Sequence, residues 1–339
     1  MAAVTQFRTW AETLADCSPA FLQHVEHKLH RVEQMIESLL RQEAPFIREA
    51  GLYILKAGGK RLRPLLLIVA AQLGEYTDED DVFFGVIVEY IHTATLVHDD
   101  IIDNAKERRG QVSANWRWGN HVAVLLGDYF YTKALALALE YGNLKILRIL
   151  SHITLQTLQG EIAEQHHFGD LWISEPKIMD IIVQKTATLF SGCCQIAAIL
   201  AGMPAEAETR LAEIGLNLGI AFQIVDDLLD YSADPYQLGK PVLQDLMEGK
   251  VTLPFYYLLR RAPLAETARL REAFRDGRMT DAEKDELRRL MEKYQILPEV
   301  HAIAESYAHR AIDLLQTFPS NDARRLLEGL IRFIIARHH

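Results

Sequence analysis

The sequence predicts an all-α fold, on three observations. Apolar residues recur every three or four positions along nearly every segment, as in helices with one buried face. Most prolines and many glycines fall between those segments, where they break helices. Alternating stretches are rare, and no Asn-Gly or Asp-Gly turn sits between alternating flanks.

Residues 20–43 carry Phe21, Leu22, Val25, Leu29, Val32, Met35, Ile36 and Leu39 at helical spacing. Pro45 opens a second helix to about Ala57, which Gly58-Gly59 breaks. Pro64 suits the first turn of a third helix, running to about Leu73. Thr77-Asp78 is placed to cap the helix Phe83–Asp103, or a short turn before it. Helices follow at about 121–141, 144–168, 175–202 and 205–231; in the last, Gly215 and Gly219 permit close backbone approach. After a loop with Pro235, Gly239 and Pro241 come helices near 251–261, 264–275, 280–293, 296–317 and 320–337. The apolar helices between 83 and 231 read as a central bundle around a ligand cavity. With no linker and no internal repeat, residues 1–339 are expected to form one domain.

Of the 339 residues, 49% are hydrophobic, enough for a large core, and the net charge of −10 argues against nucleic acid as the main partner. Cys17, Cys193 and Cys194 have neither disulfide-framework nor metal-site spacing, so a reducing cytoplasm is expected. Met1-Ala-Ala-Val-Thr lacks a basic stretch leading into an apolar one, so no signal peptide is expected. No membrane span is expected either.

The chemistry is written in two acidic runs, Asp99-Asp100-Ile101-Ile102-Asp103 and Asp226-Asp227-Leu228-Leu229-Asp230. Positions i and i+4 share a helix face, so Asp99 pairs with Asp103 and Asp226 with Asp230. One acidic cluster is usually a solvated helix end. Two copies, each at the end of a long apolar run, point to a bound cation. Aspartates there oppose the helix dipole. Carboxylate oxygens suit Mg²⁺, which keeps waters and binds substrate phosphates.

Basic residues cluster at glycine breaks. They are Gly58-Gly59-Lys60-Arg61-Leu62-Arg63-Pro64, Arg108-Arg109-Gly110, and Gly239-Lys240-Pro241 with Gly249-Lys250 beyond. Arginine can grip phosphate oxygens bidentately, whereas lysine acts as a point charge. Lys185-Thr186 interrupts an apolar helix, Gln223 precedes the second aspartates, and His92 lies two turns before Asp99. Three basic loops beside two acidic helices look like a site for two polyanions.

Together these residues resemble the trans-type isoprenyl diphosphate synthases, the polyprenyl synthetase family. The matches are Gly-Gly-Lys-x-x-Arg-Pro at 58–64, both aspartate motifs, Arg108-Arg109-Gly110, Gly119-Asn120 with Gly127-Asp128, Lys185-Thr186 and Phe222-Gln223; they run in family order within residues 58–254. One departure is Leu243, where the family usually has glycine in Gly-Lys-x-x-Gly-x-Asp.

The resemblance implies an isoprenoid synthase bundle and a magnesium-dependent prenyltransferase, with two or three ions. Asp99, Asp103 and Asp226 would bind metal on an allylic diphosphate such as farnesyl diphosphate, supported by Asp100, Asp227 and Asp230. Arg108, Lys185 and Lys240 would contact that diphosphate, with Thr186 and Gln223 nearby. Lys60, Arg63, His92 and Arg109 would hold isopentenyl diphosphate. The family's chain-length gate falls at Ala94, a small residue, with Ile91 one turn deeper. This resembles long-chain members, the bacterial octaprenyl diphosphate synthases of quinone biosynthesis especially, and implies a product near C40. A homodimer is implied as well. A short-chain farnesyl or geranylgeranyl diphosphate synthase is an alternative; so is a class I terpene cyclase, which would not need the 58–64 loop. A regulatory subunit of a heteromeric synthase would typically have lost aspartates that this chain keeps.

Overall fold

The computed structural model describes residues 16–56, 58–59, 61–232 and 243–336. Lys60, Lys240 and the loop with Pro235, Gly239 and Pro241 lie outside them. The helices in chain order are α1 (Pro19–Arg41), α2 (Pro45–Lys56), α3 (Leu62–Gln72), α4 (Asp80–Ile102), α5 (Ala114–Trp118), α6 (Asn120–Tyr141), α7 (Leu144–His166), α8 (Glu175–Ile182), α9 (Thr188–Leu200), α10 (Ala205–Ser232), α11 (Gln244–Met247), α12 (Leu253–Arg261), α13 (Leu264–Asp276), α14 (Asp281–Lys293), α15 (Ile296–Leu315) and α16 (Asp322–Ile335). The all-α expectation holds, and the long helices start and stop within a few residues of their predicted ends. Contacts group the described residues into two compact units. One comprises the described residues within 1–154, 189–215 and 314–330; the other comprises those within 155–188, 216–313 and 331–339.

In the first unit, α4 packs against α1, α3, α5 and α6. Almost every residue of α3 is buried, as a helix apolar on most sides requires. Helix α1 starts where Ser18 accepts the Phe21 amide at 3.3 Å and Pro19 fills the first turn. Helix α4 begins at Asp80, three residues before the predicted start, and Thr77-Asp78 does not cap it. Asp81 holds this end instead. Its carboxylate accepts the Val82 amide at 2.8 Å and pairs with Lys28 at 2.7 Å, both side chains fully buried. An anion in the first turn also favours the helix dipole.

Two features were not predicted. The Arg108-Arg109-Gly110 break is a β-hairpin, with β1 (Glu107–Arg108) antiparallel to β2 (Gln111–Val112). Its two-residue turn puts Arg109 at φ 54° and Gly110 at φ 74°, the positive pair that such turns need. The predicted 175–202 helix is also interrupted, by a π-helical turn over Val183–Ala187.

The second unit has its own core, with Ile178, Ile182, Ile224, Leu253, Phe255, Leu258, Leu287, Leu290, Ile296 and Val300 buried together. Thr280 and Glu283 close a capping box at the start of α14. Helix α6 is long and apolar enough on composition alone to cross a bilayer, which the sequence reading did not anticipate. No disulfide forms among the described cysteines.

Candidate active site

The first unit builds a cationic site around α4. Gly58, at φ 90°, turns the chain out of α2, and Arg61 enters α3 in the left-handed region at φ 46°. Arg61 is internally satisfied: it pairs with Glu89 at 2.5 Å and Glu33 at 3.3 Å, and donates to the Leu55 carbonyl at 2.8 Å. Arg109 reaches across the loop to the Gly58 carbonyl. A Cβ on Gly59 would lie 2.6 Å from the Arg109 guanidinium, so this glycine leaves room for it.

Arg63 and Arg109 remain without a carboxylate partner among the described residues, and the buried Arg63 Nε has no acceptor. The Arg63 guanidinium lies 5.1 Å from the Phe190 ring centroid. Burial lowers the pKa of both arginines. His92 is pushed well below its ordinary value by burial, then by Arg63, Arg109, Arg108 and Arg61. A neutral imidazole among guanidiniums with spare donors is an anion site by its chemistry.

Asp99 and Asp103 sit partly exposed at the end of α4, where Asp103 caps the helix and its amide donates to the Asp99 carbonyl at 2.8 Å. Asp100, expected to support the metal, is buried and binds Arg108. Nε and Nη2 of Arg108 lie 2.7 and 2.6 Å from one carboxylate oxygen. Asn115 donates to the Asp100 carbonyl at 2.9 Å. Gly127 lets α6 approach the helix end closely, since a Cβ there would lie 2.2 Å from the His98 ring. Ala94 and Ile91 have no accessible surface, so neither lines an open channel in this structure.

The second unit builds a mixed-charge cleft of about 130 Å³, lined among others by Glu164, Lys185, Thr186, Gln223, Asp226, Asp227, Asp245 and Lys250. Lys185 lies in the π turn, and Gly160 lets α7 come against it: a Cβ there would be 2.7 Å from the Lys185 amide nitrogen. π turns recur at functional sites because they redirect side chains. The Lys185 ammonium sits between Glu161 at 2.6 Å and Glu164 at 2.5 Å. Thr186 donates to the Gln223 amide oxygen at 2.7 Å, and the Gln223 amide donates to Asp227 at 2.8 Å. That chain orients Gln223. Asp226 is exposed, whereas burial, then Asp245, drives the Asp227 carboxyl well above the usual range. Asp245 is pushed up to about 7, first by burial and then by Asp230.

Among the described residues no three carboxylates, histidines or cysteines form a closed metal cage. The accessible donors Asp99, Asp103 and Asp226 are few, hard and oxygen-only. Each unit thus offers hard oxygen donors of the kind that a magnesium ion accepts while it completes its shell with water and substrate phosphate. Glu161, Glu164, Asn115 and Lys28 were not singled out from sequence. Each is an ordinary polar residue whose partner is distant along the chain.

A family model for polyprenyl synthetase matches residues 44–292. The chain belongs to the polyprenyl synthetase family. An octaprenyl diphosphate synthase of Haemophilus influenzae is 37% identical, over 92% of this chain and 94% of that relative. A protein of Bacillus subtilis named heptaprenyl diphosphate synthase component 2 is 32% identical, over 89% of this chain and 86% of its own length. A Caulobacter crescentus polyprenyl synthase, solved with calcium and isoprenyl diphosphate, superposes with a TM-score of 0.88 at 34% identity, covering 94% of this chain and 97% of that one. The family assignment makes the protein a prenyltransferase of the isoprenoid synthase fold, and its relatives include several long-chain polyprenyl diphosphate synthases.

Proposed function

We propose that this prenyltransferase is an all-trans long-chain polyprenyl diphosphate synthase. It condenses isopentenyl diphosphate 1′–4 onto an allylic diphosphate such as farnesyl diphosphate, with a product near C40 that serves a quinone side chain. The carrying observation is the cation excess at Arg63 and Arg109 around neutral His92, beside a pair of accessible aspartates. A class I cyclase has no use for that second anion site.

In this reading Arg63, Arg109 and His92, with Lys60, hold the isopentenyl diphosphate and aim its double bond. Asp99 and Asp103 on the first unit, and Asp226 on the second, would hold magnesium, supported by Asp227, while Asp100 orients Arg108. Magnesium, when bound, supplies positive charge that steadies the leaving diphosphate. Arg108, Lys185 and Lys240, with Thr186 and Gln223, grip the allylic diphosphate and stabilise the charge that develops as its C–O bond breaks. The isopentenyl double bond attacks the allylic carbon. A proton is then lost, and the departing diphosphate can accept it. Apolar helix walls exclude water from the carbocation.

Small Ala94 supports a long product, as do the names of the relatives. Because Ala94 and Ile91 are closely packed, elongation requires side chains around α4 to move apart. A cytoplasmic homodimer completes the reading. Leu125 and Leu139 stand 67% and 62% exposed on α6. Leu155, Leu158 and Ile162 stand exposed on one face of α7. Apolar stripes of this kind suit a second copy of the chain, and we assign that of α6 to the dimer in preference to a membrane span.

The test is product analysis. Purified protein with Mg²⁺, farnesyl diphosphate and excess isopentenyl diphosphate should yield products centred near C40 after dephosphorylation. Products stopping at C15–C20 would contradict the long-chain reading. No elongation, with Asp99→Ala behaving identically, would point to a cyclase or a missing second subunit.

A further inference from the structure

Asp230 closes the second aspartate motif, yet its surroundings differ from those of Asp226. Its Oδ1 accepts the Gln244 amide at 3.0 Å and its Oδ2 the Asp245 amide at 3.2 Å. Its own carbonyl accepts the Leu243 amide at 2.9 Å. Three consecutive backbone N–H groups therefore end on one aspartate. The second and third open α11, whose first amides have no acceptor within the helix.

Leu243 explains why this loop needs holding. It stands where the family pattern has glycine, and it keeps the backbone that glycine would favour, with φ 63° and ψ 29°. A side chain there is strained. The conformation persists because the leucine is 2% exposed within the second unit's core and its amide is tied to Asp230. Downstream, the Lys250 amide donates to the Asp245 carbonyl at 2.8 Å. The backbone fixed by Asp230 thus carries Asp245 and Lys250, which line the same cleft as Lys185 and Asp226.

We propose that Asp230 is a positioning residue that pins the Leu243–Asp245 backbone, placing Asp245 and Lys250 at the cleft, and is not a metal ligand. The proposal rests on the diphosphate-site reading of that cleft and divides the labour within the second motif: Asp226 serves metal, Asp230 serves the loop.

Two measurements on the full chain test it. The first is amide hydrogen exchange without Mg²⁺ or substrate. The Gln244 and Asp245 amides should be protected in the parent protein and exchange at least tenfold faster in Asp230→Ala, but not in Asp226→Ala. The second is the Mg²⁺ dependence of condensation. Asp230→Ala should raise the KM for farnesyl diphosphate at least tenfold while moving the Mg²⁺ midpoint less than threefold; Asp226→Ala should move that midpoint more than tenfold. Asp230→Asn, which keeps one acceptor, serves if the alanine variant does not fold. Unprotected Gln244 and Asp245 amides in the parent protein would overturn the proposal. So would a Mg²⁺ midpoint displaced as far by Asp230→Ala as by Asp226→Ala. A parent protein without condensation activity would refute the synthase reading, and the exchange result would still judge the role of Asp230.

Discussion

The two aspartate motifs share one spelling and differ in what surrounds them. In the first, the middle carboxylate binds a cation, with Arg108 on Asp100 at 2.6 Å. In the second, the middle carboxylate meets a neutral amide, Gln223 on Asp227 at 2.8 Å, and burial pushes its pKa up. The last aspartate of the first motif caps its own helix, whereas the carboxylate of the second holds amides fourteen and fifteen residues on. Spacing decides which residues share a face. The partner on the facing element decides what each then does.

The largest expected effect tests that division. Asp226→Ala should lower condensation by about 10²–10³-fold, as for loss of a group that stabilises transition-state charge. Asp100→Asn should act through Arg108 instead, raising the KM for the allylic substrate roughly tenfold. Steady-state kinetics with each substrate varied separates the two; equal kcat losses would erase the distinction between the aspartates.

Next in size is the cation site. Arg63→Met should raise the KM for isopentenyl diphosphate about 30–100-fold, since a hydrogen bond to a charged group contributes about 1.5–3 kcal/mol. The KM for farnesyl diphosphate should stay unchanged. Gly59→Ala should give a several-fold rise in the same constant with little change in Tm, because the obstructed neighbour is the movable end of Arg109.

The smallest effect is a pH dependence of stability. His92 titrates well below its ordinary value in the folded chain, so below about pH 6.5 the unfolded chain takes up a proton that the folded chain refuses. Its contribution therefore turns unfavourable as pH falls from about 6.5 towards the depressed folded value. Thermal melts of the parent protein and His92→Gln between pH 7.5 and 5.5 should diverge by a few degrees, with the variant the less sensitive.

Much of this was legible in the sequence. Helical periodicity located the long helices, because each buries one stripe. The glycine-marked loops located Arg63, Arg108 and Arg109, because close backbone approach has a compositional mark. The hairpin at Arg109-Gly110 escaped because arginine is an unusual residue for a positive φ. The π turn at Lys185 escaped because one extra residue per turn leaves the apolar pattern nearly intact. Glu161 and Glu164, which hold Lys185, and Lys28, which fastens the start of α4, escaped because their partners lie far along the chain, beyond the reach of helical spacing. The roles of Asp100 and Asp230 depend on contacts that no spacing rule contains.

The most direct test of the cation site is calorimetric titration of isopentenyl diphosphate into the protein in the presence of a metal chelator. The arrangement of Arg63, Arg109 and His92 predicts binding without Mg²⁺, weakened at least thirtyfold by Arg63→Met and unchanged by Asp226→Ala. Binding that requires Mg²⁺, or that Arg63→Met leaves intact, would contradict the assignment of that site.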